Sequence, residues 1–219
     1  MLLNRIHGLR HGLTLKPRIC KRFTATLVTD ADYADDLALL SNTIAGETTL
    51  IHALKKAASS IGLYRNVKKT ESMSVNCQGQ IKTSSGYALK QVDQLFTYLG
   101  SNIASTTKDV DIRISKAWSA LKRLTVVWKS NISNNMKKHF FKTTVETVLL
   151  YGSSTWTLTK KLENTLNGTE NTRMLRAVLN VSWQEHLSNA QLYGNRRKIT
   201  DVIKERRVRF VGHSATKVN

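Results

Sequence analysis

The chain has little of several things that usually organise a protein of its size. It has two cysteines, Cys20 and Cys77, among 219 residues. They form no CxxC pair, which argues against a structural zinc knuckle. They form no disulfide framework either, which argues against a small secreted scaffold. There is one proline, Pro17, and it breaks the first segment. No apolar run approaches the roughly 18 residues of a spanning helix, so no membrane partner is expected. Arg5, His7, Arg10 and His11 interrupt any apolar region at the N-terminus, which excludes a secretory signal. Without one, the N-x-S/T triplets at Asn131, Asn167 and Asn180 carry little weight as glycosylation sites. There is no internal repeat and no low-complexity linker.

What is present is globular. Hydrophobic residues make up 41% and charged residues 22%, which argues against global disorder. At this length about 70% of the unfolded surface can be buried, so a core needs no staples. The acids are few: 15 against 34 Lys and Arg, a formal charge of +19. That excess points to a polyanion, nucleic acid first, because each neutralised phosphate releases counterions. The plain alternative is a basic surface without a ligand. Residues 1–29 hold six basic residues and no acid, and residues 30–105 hold seven of each. Residues 106–160 hold ten against three, and 161–219 eleven against five. A neutral block therefore lies between basic ones. The acid-free N-terminus also has the look of a mitochondrial transit peptide, against which stands its lack of serine.

Periodicity changes along the chain. Phe23 to Thr29 alternates and is β-rich, and Leu37 to Leu40 is a second short apolar run, so a hairpin with an acidic tip is expected. Ile44, Ile51, Leu54, Ala58 and Ile61 share a helical face, with Gly62 as the stop. Asn66 to Val75 and Gln94 to Gly100 read as strands, and Gly79 and Gly86 bracket turns. From Thr106 the period is helical. Val110, Ile114, Ala117, Trp118, Leu121, Leu124 and Trp128 form one stripe, with Arg113, Lys116 and Arg123 on the other side. Met136, Phe140, Thr144 and Val148 suggest the next helix, with Lys138 and Lys142 outside. Further helices are expected near Leu158 to Leu179 and Ile199 to Val211. All four tryptophans, Trp118, Trp128, Trp156 and Trp183, fall in this half, mostly as core anchors. The fold class is α+β, mixed first and then all helix.

Asp30, Asp32, Asp35 and Asp36 lie within seven residues. Close carboxylates repel, so they need a cation or a basic partner. A solvated acidic turn is the plain reading. An EF-hand fails, because loop position six would be Asp35 rather than Gly and position twelve Ser41 rather than Glu. A third reading is a metal site for phosphoryl transfer, in which carboxylates on a tight hairpin hold Mg²⁺.

Here the residues resemble a known family. Tyr33-Ala34-Asp35-Asp36 followed by Leu-Ala-Leu-Leu is similar to the YxDD hairpin of reverse transcriptases. IGLYRNVKKTESM (Ile61 to Met73) resembles the family's next block, and FTYLGS (Phe96 to Ser101) its primer-grip hairpin. LLYGSSTWTL (Leu149 to Leu158) and RRVRFVGH (Arg206 to His213) resemble the C-terminal signature of reverse transcriptases from non-LTR, LINE-like retrotransposons. The resemblance implies a partial polymerase palm over residues 1–105, a helical thumb over 106–155 and a basic helical region over 156–219. It implies that Asp35 and Asp36 ligate Mg²⁺, that Tyr33 sits beside the primer terminus and that Lys69 approaches the triphosphate. Tyr98, Leu99 and Gly100 would support the primer strand. Arg113, Lys116 and Arg123 would face the phosphates. The implied partners are an RNA template, a DNA primer and deoxynucleoside triphosphates. The implied location is intracellular, in the nucleus or cytoplasm.

Read without the resemblance, Lys69 is a surface lysine, Tyr98 and Leu99 are core residues, Gly100 is a turn and the basic faces are solvated. His213 beside Arg209 is too little to support a nuclease. In the family a further aspartate comes from a palm strand upstream of YxDD, whereas the first acidic residue here is Asp30. The fingers and the N-terminal endonuclease have no counterpart in these residues. The expectation is a C-terminal part of an RNA-directed DNA polymerase, inactive alone and with apolar palm surface uncovered. The alternatives are a non-catalytic basic nucleic-acid-binding protein, whose affinity falls steeply with salt, and an inert retroelement remnant.

Overall fold

Local pairing dominates the first hundred residues. The computed structural model describes residues 11–16, 26–77, 79–83, 86–93, 95–188, 191–192, 194 and 196–216. Pro17, Cys20 and the start of the strand expected from Phe23 lie outside the described residues. The fold is α+β, and the chain divides into two units, residues 1–100 and 101–219. The regions expected at 106–155 and 156–219 both belong to the second unit.

In unit 1, β1 (Leu13–Lys16) pairs antiparallel with β2 (Thr26–Val28). β3 (Asp30–Tyr33) pairs antiparallel with β4 (Asp36–Leu39). A hairpin with an acidic tip therefore forms, but not between the strands expected. The Phe23–Thr29 segment supplies β2, which pairs with β1, and the acidic segment itself supplies β3, which pairs with β4 and leaves a two-residue turn, Ala34-Asp35. Ala34 adopts a φ of 55°, as tight hairpin turns require. α1 (Ile44–Ser59) follows, with Thr43 Oγ1 accepting the Gly46 N–H as its N-cap. Gly62, at a φ of 77°, ends it as expected. Leu50, absent from the predicted stripe, is fully buried, whereas Ile61 lies past the helix end and is 60% exposed. The unit's small core joins Ile51, Ile81 and Leu89, with Leu39 and Ile44 packed on it.

The strand expected over Asn66 to Val75 shrinks to β5 (Glu71–Ser72), which pairs in parallel with β6 (Lys90–Gln91). Residues 66–70 instead form a turn, because Asn66 Oδ1 accepts the Lys69 N–H and its carbonyl accepts the Thr70 N–H. The strand expected over Gln94 to Gly100 likewise shrinks to β7 (Thr97–Tyr98), before Leu99 and Gly100 at φ 47° and 78°. Leu63, Tyr64, Val67, Val75, Tyr87 and Leu95 are all exposed.

Unit 2 opens with β8 (Ser101–Asn102) and α2 (Thr106–Arg123), capped by Ser105 Oγ accepting the Lys108 N–H. Val110, Ala117 and Leu121 are buried and Ile114 and Trp118 half-buried, as the stripe predicts. α3 (Thr125–Lys129) buries Trp128, whose Nε1–H donates to the Leu121 carbonyl at 2.8 Å. α4 (Asn134–Phe140), a π-helical turn over Phe141–Val145 and α5 (Glu146–Leu149) then run on continuously. Here the predicted face is one residue out. Lys137, Phe141, Val145 and Leu149 are buried, while Met136 and Phe140 are exposed. A π turn winds more residues per turn than an α-helix, so a spacing of four stays on one face. α6 (Lys160–Thr165), a π segment (Leu166–Met174) and α7 (Leu175–Leu179) follow, then α8 (Ile199–Thr216). The core draws on α2, α3, α5, α6, α7, α8 and both π segments but on no apolar residue of α4, with Val110, Val145, Leu166, Met174, Leu175 and Ile203 fully buried. The Trp183 side chain lies outside the described residues.

Candidate nucleic-acid interface

Pairing in the β3–β4 hairpin sorts the four aspartates. Tyr33 stands opposite Asp36 and Ala31 opposite Ala38, so these four share one face. Asp30 and Asp32 stand opposite Leu39 and Leu37 on the other face. Asp35 is in the turn. Leu39 packs on the small core, which anchors the hairpin's base, while Tyr33 is 66% exposed and Asp35 and Asp36 are exposed at its tip. Thr29 Oγ1 donates to the Asp30 carboxylate, so that acid is engaged locally.

Tyr98, 67 residues after Ala31 in the sequence, comes to this hairpin. Its hydroxyl donates to the Ala31 carbonyl at 2.9 Å. Burial first, and then the negative charges of Asp36 and Asp32, hold its phenol above the usual value. The structure thus gathers Tyr33, Asp35, Asp36 and Tyr98. Leu99 and Gly100 form the left-handed turn beside Tyr98. Lys69 is exposed in the turn at 67–69, and its ammonium has no ion pair among the described residues.

Asp35 and Asp36 are exposed at the hairpin's tip, and Asp32 is exposed on the face away from Tyr33 and Asp36. Among the described residues no group of three His, Cys, Asp or Glu converges as a metal site. Asp35 and Asp36 are the residues that would hold a Mg²⁺ ion here, with its other positions left to water or phosphate oxygens.

The thumb-like residues divide. Lys116 and Arg123 are exposed on α2, as expected. Arg113 is not on the outer face; it is 5% exposed. Its Nε lies 3.9 Å from Asp109 Oδ1, its Nη2 donates to Ser101 Oγ at 3.3 Å, and its guanidinium sits 4.3 Å from the Tyr151 ring centroid. The reason is Asp109 one turn earlier, a buried acid that draws the cation inward. Asp109 also accepts the Asn102 N–H at 2.8 Å and the Trp156 indole N–H at 2.7 Å. Gly152, at a φ of 72°, packs so closely that a Cβ there would strike Ser101 Oγ. This polar knot is absent from the sequence expectations. Its signal was the LLYGSSTWTL block, which supplies Tyr151, Gly152 and Trp156.

The chain is 24% identical over 201 residues to a transposon-derived protein of Caenorhabditis elegans, a match that covers 86% of this chain and 72% of that protein. No protein-family model matches the chain. No solved structure matches it.

Proposed function

We propose that the chain is part of a reverse transcriptase of a non-LTR retrotransposon, carrying the YADD hairpin, the primer-side hairpin and a basic helical region that holds nucleic acid. The similarity to a transposon-derived protein supports a transposon-related origin. The observation that carries the finer reading is the meeting of Tyr33, Asp36 and Tyr98 around one tight hairpin. Tyr33 and Tyr98 flank the position where a primer terminus would lie. In unit 2, Lys116 and Arg123 offer exposed charge to nucleic-acid phosphates. When bound, Mg²⁺ at Asp35 and Asp36 would neutralise triphosphate charge and activate the attacking hydroxyl. Two carboxylates alone do not clamp two ions, so the chain by itself should not extend a primer. That shortfall also favours a second reading, a nucleic-acid-binding protein without catalysis.

A primer carrying a photoreactive 3′ nucleotide, annealed to RNA, separates the two. Cross-links confined to residues 30–40 and 96–101 support the polymerase reading. Cross-links spread over the basic helices alone overturn it and leave plain binding. Primer extension by the isolated chain that disappears in Asp35→Ala would show the catalytic set to be complete.

A further inference from the structure

A groove of about 520 Å³ opens in unit 2 beside α8. Tyr151, Ser153 and Ser154 line one side, and Arg206, Arg209 and Phe210 the other. The three α8 residues lie at i, i+3 and i+4, so they share one helical face. Arg206 Nη1 donates to the Leu150 carbonyl at 3.1 Å, which fixes that guanidinium at the rim. Arg209 is bound to Glu205 on its own helix, and its side chain is 78% exposed. Tyr151 and Phe210 are 50% and 62% exposed. Tyr151 is braced by the Arg113 guanidinium against its ring. Ser153 is 1% exposed, and its buried Oγ has no hydrogen-bond partner among the described residues. A buried hydroxyl without a partner is uncommon and calls for one. No carboxylate lines the groove.

One fixed guanidinium, a second one exposed beside it, two half-open aromatic rings and an unanswered hydroxyl match a nucleotide better than a peptide. Guanidinium forks suit phosphate oxygens, and flat rings suit a base. We propose that this groove takes one unpaired nucleotide of a single-stranded nucleic acid. The base stacks on Tyr151 and Phe210, and the phosphate sits on Arg206 and Arg209. The unpartnered Ser153 hydroxyl lies in the same lining. The inference deepens the nucleic-acid reading above and rests on it, but it uses neither the YADD hairpin nor a metal.

The test is fluorescence anisotropy of a labelled oligothymidylate with the whole chain, over a series of salt concentrations. Phe210→Ala should weaken binding about tenfold. Arg209→Gln should reduce the salt slope by about one. Arg207→Gln, the same charge change outside the groove, should act less than twofold, and duplex DNA should not respond to Phe210→Ala. Far-ultraviolet circular dichroism confirms that each variant is folded. Equal effects of Arg207→Gln and Phe210→Ala overturn the groove but leave nucleic-acid binding standing. Displacement of the oligonucleotide by a polyglutamate peptide of matched charge overturns it too, in favour of an acidic partner. No binding by the wild-type chain at low salt sinks the broader reading as well.

Discussion

Trp156→Phe isolates the knot that holds unit 2 together. The indole is 1% exposed, and its N–H donates to Asp109 Oδ2 at 2.7 Å. A hydrogen bond to a charged acceptor contributes about 1.5–3 kcal/mol, and its loss leaves one buried carboxylate oxygen unanswered. The smaller ring also leaves roughly 40 Å³, about 1 kcal/mol at the usual slope for cavities. The expected loss is about 2.5–4 kcal/mol. Urea unfolding followed by circular dichroism measures it. Trp118→Phe is the control: that ring is half-buried against the same core, and its replacement should cost about 1 kcal/mol. In an Asp109→Ala background, Trp156→Phe should cost only the cavity part, since its acceptor is gone. A loss below about 1 kcal/mol, or one no larger than the control's, refutes the indole–carboxylate anchor.

Three more outcomes are expected. Gly152→Ala forces a methyl into a left-handed backbone and against Ser101, at a cost of about 2–3 kcal/mol, read as a lower thermal midpoint. Tyr98→Phe removes the donor to Ala31 and should cost about 0.5–1 kcal/mol, with faster amide exchange in residues 30–39 and no change in unit 2. Glu163 and Glu205 titrate below the ordinary 4.5, through hydrogen bonds first from Lys204 and from Arg197. Their contribution is complete above that value and fades as pH falls through the lowered ones. Lys204→Ala with Arg197→Ala should therefore flatten the acid limb of a urea-midpoint profile. An unchanged limb would show these pairs to be idle.

The sequence was most legible where one physical signal spoke alone. The α2 stripe from Val110 to Leu121 follows simple 3.6-residue spacing and was read correctly. An acidic hairpin tip was legible from composition, but its first strand was not: the apolar Phe23–Thr29 segment turns to β1, and Asp30–Tyr33, polar and unlike a strand, pairs with β4. The face of α4 was misread because Phe140 and Phe141 are adjacent and identical, so a spacing of four fits either register, and the second is the buried one. Asn66 turned a nominal strand into a capped turn, a side-chain hydrogen bond that alternation does not register. Arg113 misled most. Its charge argued for solvent, yet it stands three residues after Val110 and four before Ala117, at the edge of the buried stripe, where the buried Asp109 one turn earlier meets it. Pairing at a distance, as between Trp156 and Asp109 or Tyr98 and Ala31, leaves no local periodicity to read.

The two units are unequal in their interiors. Unit 2 shares one core among its helices, whereas unit 1 closes around Ile51, Ile81 and Leu89 and leaves Ile61, Tyr64 and Val75 in water. Local opening is cheapest where few apolar contacts resist it. A protease should therefore cut first within residues 26–100 and leave the helical remainder whole. Heating should melt the chain in two steps, so that no single Tm describes it.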